Sequence, residues 1–69
     1  MNRYYIIYNN VTEEYYSKVY GYCWDIGLAD EFDTLEEAME YIEYLVSYLI
    51  YELEDYNIIE VTCETKKVW

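Results

Sequence analysis

The residues of this sequence best equipped for chemistry are its carboxylates. Asp30, Glu31, Asp33, Glu36, Glu37, Glu40, Glu43, Glu52, Glu54 and Asp55 follow one another with no lysine, arginine or histidine between them. Carboxylates at such density can exchange protons, ligate a hard cation, or present a plain anionic array, and the other residue types decide among these. Histidine is absent and only two cysteines occur, Cys23 and Cys63, so a tetrahedral zinc site and a disulfide framework both lack ligands. Asp25, Asp30, Glu31 and Asp33 have neither the ligand spacing nor the turn glycine of an EF-hand calcium loop. Acid-base catalysis would need one carboxylate pair set apart from the crowd. The chain offers none, and no glycine-rich phosphate loop or nucleophile with a recognisable base either. The expectation is therefore no enzyme, no cofactor and no metal, with the anionic surface itself as the working feature.

Such a surface needs elements to hold it. The chain has 69 residues, enough for one domain spanning 1–69 and too few for two cores. Its 15 acidic and 4 basic residues give a net charge of −11, yet 55% of residues are hydrophobic and 12 are tyrosine, whereas disordered acidic segments are poor in aromatics. The chain should fold. Arg3 to Tyr8 is a β-branched and aromatic run ended by Asn9-Asn10, a strand entering a turn. Glu14 to Trp24 alternates as a second long strand, with Gly21 marking a bulge. Tyr16, Lys18, Tyr20, Tyr22 and Trp24 share one face of it, either an open aromatic face or part of the core. Asp25 to Phe32 lacks periodicity and reads as a connection.

Thr34-Leu35-Glu36-Glu37 has the pattern of a capping box and predicts a helix start. From there Leu35, Ala38, Met39, Ile42, Leu45, Val46, Leu49, Ile50 and Leu53 recur at helical spacing, a stripe of about five turns, with Asn57 as the terminating residue. Ile58 to Val68 alternates again as a third strand, and Cys23 and Cys63 read as small core residues. The order β-β-α-β gives an α+β fold, a two-layer sandwich in which one long amphipathic helix covers an antiparallel sheet.

Two more stripes run along that helix. Glu36, Glu40 and Glu43, with Glu37 beside them, form a carboxylate row one helical turn apart, and Tyr41, Tyr44, Tyr48 and Tyr51 lie almost opposite the core stripe. Like charges at this spacing each cost a helix about 0.2 to 0.5 kcal/mol, and acids at a helix C-terminus oppose its dipole by a similar amount. A chain shaped by folding alone would place lysine opposite glutamate, so the charge pattern points to a partner.

The small size, the charge, the Tyr, Asn and Ile bias and the segment Asp30-Glu31-Phe32-Asp33-Thr34-Leu35-Glu36-Glu37-Ala38-Met39-Glu40 resemble the small acidic anti-restriction and anti-CRISPR proteins of phages and mobile elements. The resemblance is one of composition across the whole chain, and it implies an inhibitor that blocks the DNA or RNA site of a host nuclease or surveillance complex. The physics behind it is that duplex DNA carries one negative charge per about 1.7 Å of axis, which unpaired glutamates on consecutive turns imitate. The partner-binding residues would be Asp30, Glu31, Asp33, Glu36, Glu37, Glu40, Glu43, Tyr41, Tyr44 and Tyr48. The partner would be a basic nucleic-acid-binding protein, with no direct nucleic-acid or membrane binding. The four basic residues, Arg3, Lys18, Lys66 and Lys67, fall outside the acidic segment and leave its field undiluted.

A different class stays open: an interaction module or homodimer, antitoxin-like, in which the tyrosine stripe is a seam and the acids serve solubility. No apolar run reaches the length of a secretory core or a bilayer span, so a cytoplasmic location with reduced thiols is expected.

Overall fold

The computed structural model describes residues 3–19, 21–48, 51–62 and 65–69. In chain order the elements are β1 (Tyr4–Asn9), β2 (Glu14–Ser17), β3 (Gly21–Cys23), α1 (Leu35–Tyr48), β4 (Tyr56–Val61) and β5 (Thr65–Lys67), with short 3-10 turns at Ile26–Leu28 and Leu53–Asp55. The strands form one antiparallel sheet in the order β3-β2-β1-β4-β5, and α1 packs on one face of it. This is the expected α+β sandwich of a sheet covered by a helix, with five strands rather than three.

Each extra strand comes from a reversal inside a run that alternates without a break. In the second run Ser17 pairs with Gly21 and Tyr16 with Tyr22, so the chain turns back where one long strand was expected. Gly21 sits at φ 74°, in the left-handed region that glycine enters without a Cβ penalty, and it opens β3 rather than bulging β2. Because the reversal keeps the side-chain parity, Tyr16 and Tyr22 remain on one face. The last run folds back likewise, Val61 pairing with Thr65 and Ile59 with Lys67.

β1 is the central strand. It ends because Asn9, fully buried, accepts hydrogen bonds at its Oδ1 from the Val11 and Thr12 amides at 2.8 and 3.1 Å, the side-chain-built turn that Asn favours. β1 and β2 pair only at Tyr8–Tyr15 and Asn9–Glu14. Past that point the connection bonds to both strands: the Asp30 amide donates to the Tyr16 carbonyl at 3.0 Å, and Phe32 and Tyr5 exchange two bonds of 2.8 Å each. The acidic loop is thereby fixed against the sheet.

Pleating and register place Tyr5, Ile7, Tyr16, Tyr22, Tyr56 and Ile58 on the face toward α1. There Ile7, Phe32, Tyr56 and Ile58 bury themselves against Ala38, Ile42 and Leu45 of the helix, the three helical residues that are wholly inside. The Thr34 Oγ1 accepts from the Glu37 amide at 3.1 Å and caps the helix start; of the expected reciprocal box, this half is formed.

The helix is shorter than expected. Its assigned span closes at Tyr48, Leu49 and Ile50 lie outside the described residues, and Leu53, the last member of the expected stripe, is 42% exposed. Glu52 and Asp55 explain why the chain has left the helix, since the Glu52 amide donates to Asp55 Oδ2 at 2.9 Å and a carboxylate bonding to backbone competes with helical pairing. Asn57 does not end a helix. It lies within β4, and its Nδ2 donates to the Trp69 carbonyl at 2.6 Å. Cys23 is buried and its Sγ donates to the Asp25 carbonyl at 3.7 Å, while burial pushes its thiol pKa up. Cys63 falls outside the described residues.

Candidate functional site

The acids of the expected surface divide into three groups. Glu36, Glu37, Glu40 and Glu43 are all exposed on α1, and at about 100° per residue they occupy an arc of roughly 120° centred opposite the buried stripe. Glu31 and Asp33 are exposed on the loop that leads into the helix. Asp30 belongs elsewhere: it is half-buried, and its Oδ2 accepts the Lys18 amide at 2.9 Å. Its carboxylate clips the loop to the β2–β3 reversal, so it serves the fold. Glu52, Glu54 and Asp55 stand in the Leu53–Asp55 turn region, outside α1 rather than in its last turn as expected.

The tyrosine stripe also splits. Tyr44 and Tyr48 are 51% and 72% exposed, with ring centroids 4.7 Å apart. Tyr41 and Tyr51 pack against the core instead. Tyr41 touches the Phe32, Tyr16 and Tyr44 rings at 5.5, 5.4 and 5.4 Å, and Tyr51 meets Tyr22 at 6.1 Å and Tyr56 at 6.4 Å. The reason is the width of the sheet. β2 and β3 extend beyond the shadow of a single helix, and tyrosines from helix and strand together fill the angle between the layers. The sheet-face aromatics follow suit: Tyr16 and Tyr22 join this ladder, Trp24 is 82% exposed, and Tyr20 falls outside the described residues.

Two hydroxyl pairs bolt the ladder, Tyr16–Tyr41 at 3.2 Å and Tyr22–Tyr56 at 2.7 Å. Burial first, and then the bond to Tyr41, raises the Tyr16 pKa above the ordinary phenol value; burial and the bond to Tyr22 do the same for Tyr56. A phenol whose folded pKa exceeds its unfolded one contributes stability that is complete below the unfolded value of about 10 and is lost as pH climbs through 10 toward the folded value. Alkaline titration is therefore expected to show loss of helical circular dichroism above about pH 10, with a cooperative component of the tyrosinate band growing in the same step. Smooth ionisation of every tyrosine with the fold intact would contradict the ladder.

Lys18 is the residue that sequence reasoning misplaced. It stands just past β2, in the turn toward β3, and its ammonium lies 4.9 Å from the Tyr41 ring centroid and 5.7 Å from that of Phe32. With those rings, Tyr44, Glu37 and Glu40 it lines an open groove of about 590 Å³ between the β2–β3 reversal and α1. The anionic field is therefore not undiluted at its first two turns. The signal was present, since Lys18 shares a strand face with Tyr16 and Tyr22, which α1 partly covers. Even so, Arg3 pairs with Glu60 at 3.6 Å on a different part of the sheet, and among the described residues no carboxylate of α1 has a basic partner within ion-pair reach.

Among the described residues no cluster of three or more Cys, Asp or Glu is placed to hold a metal ion, and no helix is long and apolar enough to cross a membrane. No protein family, curated protein or solved structure matches the chain.

Proposed function

We propose that this protein is an acidic inhibitor that occupies the basic nucleic-acid-binding site of another protein, of the kind found in a host defence nuclease or surveillance complex. The observation that supports this reading is the array Glu31, Asp33, Glu36, Glu37, Glu40 and Glu43, exposed on one loop and one helix flank without an ion pair among the described residues. Successive carboxylates along α1 stand one turn apart, close enough that their fields add over a Debye length of about 10 Å at 0.1 M salt. A field of this sign steers a basic cleft toward the helix, and the exposed rings of Tyr44 and Tyr48 beside it add apolar contact area, which charges alone lack.

The homodimer reading loses ground on the same geometry. With Tyr41 and Tyr51 half-buried against the core, the exposed part of the seam shrinks to Tyr44 and Tyr48, well short of the roughly 800 Å² per partner of a standard interface. Capture from a bacterial lysate, with and without excess duplex DNA, tests the proposal. The expected result is a nucleic-acid-binding protein that DNA displaces and that binds at least tenfold more weakly when salt rises from about 50 to 200 mM. A complex indifferent to both DNA and salt would refute it, and dimeric elution in gel filtration would favour the seam.

A further inference from the structure

We propose that the groove between the β2–β3 reversal and α1 is an arginine receptor, in which a guanidinium of the partner protein stacks on Tyr41 between Glu37 and Glu40 and displaces the ammonium of Lys18. The proposal rests on the reading that the partner is a basic protein, and it names the side chain that this part of the surface takes.

Lys18 carries the argument. The chain's own ammonium lies over the faces of Tyr41 and Phe32, at 4.9 and 5.7 Å from their centroids, so the groove already attracts a cation. That occupant fits poorly. Lys18 is exposed and reaches no carboxylate within ion-pair distance among the described residues, although Glu37 and Glu40 line the same groove. A compact ammonium can sit over a ring or meet a carboxylate, whereas a planar guanidinium stacks on the ring with its face and donates to carboxylates from its edge. Tyr41 is held for stacking: its hydroxyl pairs with Tyr16 at 3.2 Å, and the rings of Phe32 and Tyr44 flank it at 5.5 and 5.4 Å. The lysine's backbone is also fixed, because its amide donates to Asp30 Oδ2, so its side chain can swing out without moving the turn. At about 590 Å³ the groove has room for such a side chain.

Acetylated tri-arginine amide and tri-lysine amide, titrated into the full chain and followed by nuclear magnetic resonance, test this. Tri-arginine is expected to shift the Tyr41 and Tyr44 ring signals and the Lys18 side-chain signals, and to bind about tenfold more tightly than tri-lysine of equal charge. Lys18→Arg fills the groove with the chain's own guanidinium at unchanged net charge and should weaken tri-arginine binding by about threefold or more. Glu37→Gln with Glu40→Gln, both on the exposed face, should erase most of the preference for arginine over lysine while the fold persists. Equal affinities for the two peptides, with shifts spread over Glu52 and Glu54 as much as over the groove, would overturn the receptor and leave the wider reading of an anionic inhibitor standing. Tri-arginine binding in the groove beside a captured partner that duplex DNA fails to displace would support the receptor and count against nucleic-acid imitation.

Discussion

Replacing Ile42 by alanine is expected to leave most of the chain unfolded in dilute buffer at room temperature. Ile42 is wholly buried at the middle of α1, in the cluster formed by Ile7, Phe32, Ala38, Leu45, Tyr56 and Ile58. Removing a buried isoleucine side chain down to its Cβ costs about 2 to 5 kcal/mol, because the lost transfer energy is joined by the cavity left behind. A domain of this length rests on one core, which rarely supplies more than about 3 to 5 kcal/mol of net stability. The two ranges overlap, so the variant has little or nothing left. Ile42→Val should cost only about 0.5 to 1.5 kcal/mol, and Glu43→Gln on the exposed face less than about 0.5 kcal/mol. Urea melts followed by far-ultraviolet circular dichroism give the series directly. If Ile42→Ala melted with Glu43→Gln, the helix would not be packed on the sheet as described.

That core was legible because it is periodic. Ala38, Ile42 and Leu45 repeat at helical spacing, and nothing but a helix on an apolar surface satisfies them all at once. What periodicity could not locate was where an element stops. Alternation ran unbroken through Ser17 and Gly21 because a reversal that pairs those two residues leaves the parity of their neighbours unchanged. The stripe ran on to Leu53 on paper, while the Glu52–Asp55 turn obeys hydrogen bonds of side chain to backbone that carry no periodic signature. The site was legible to the same degree. The four helical glutamates are exposed as their positions on α1 predict. Asp30 and Lys18 were misread because their roles depend on each other across the sheet edge, a meeting made by the tertiary fold between residues that no local pattern links. Tyr41 was misread because the sheet is wider than one helix, a consequence of strand count.

Reversing Glu36, Glu40 and Glu43 to lysine should abolish binding to the nucleic-acid-handling partner while the fold survives. Each substitution exchanges a negative charge for a positive one, a shift of two units in a chain of net −11, and does so where the partner's own cations would lie. Attraction becomes repulsion over the length of α1, and like charges brought together at an interface cost several kcal/mol, enough to move a tight complex beyond detection. The stability side is far smaller. None of the three residues makes an ion pair among the described residues, so no salt bridge is lost. Lysine at position 36 sits in the first turn, where the dipole disfavours it by about 0.3 to 1 kcal/mol. Against this, lysine at position 40 lies three residues from Glu37 on the helix, a pair worth about 0.2 to 0.5 kcal/mol. Circular dichroism and the urea midpoint should therefore stay close to those of the parent. Glu13→Lys with Glu54→Lys supplies the control, since both acids are exposed, lie outside α1 and undergo the same charge change per substitution. That pair should weaken binding only through the longer-range field, an effect that fades as salt approaches physiological strength. If the α1 triple variant and the Glu13 and Glu54 control lost affinity in proportion to charge alone, overall acidity would be acting and the helical row would have no place in the contact.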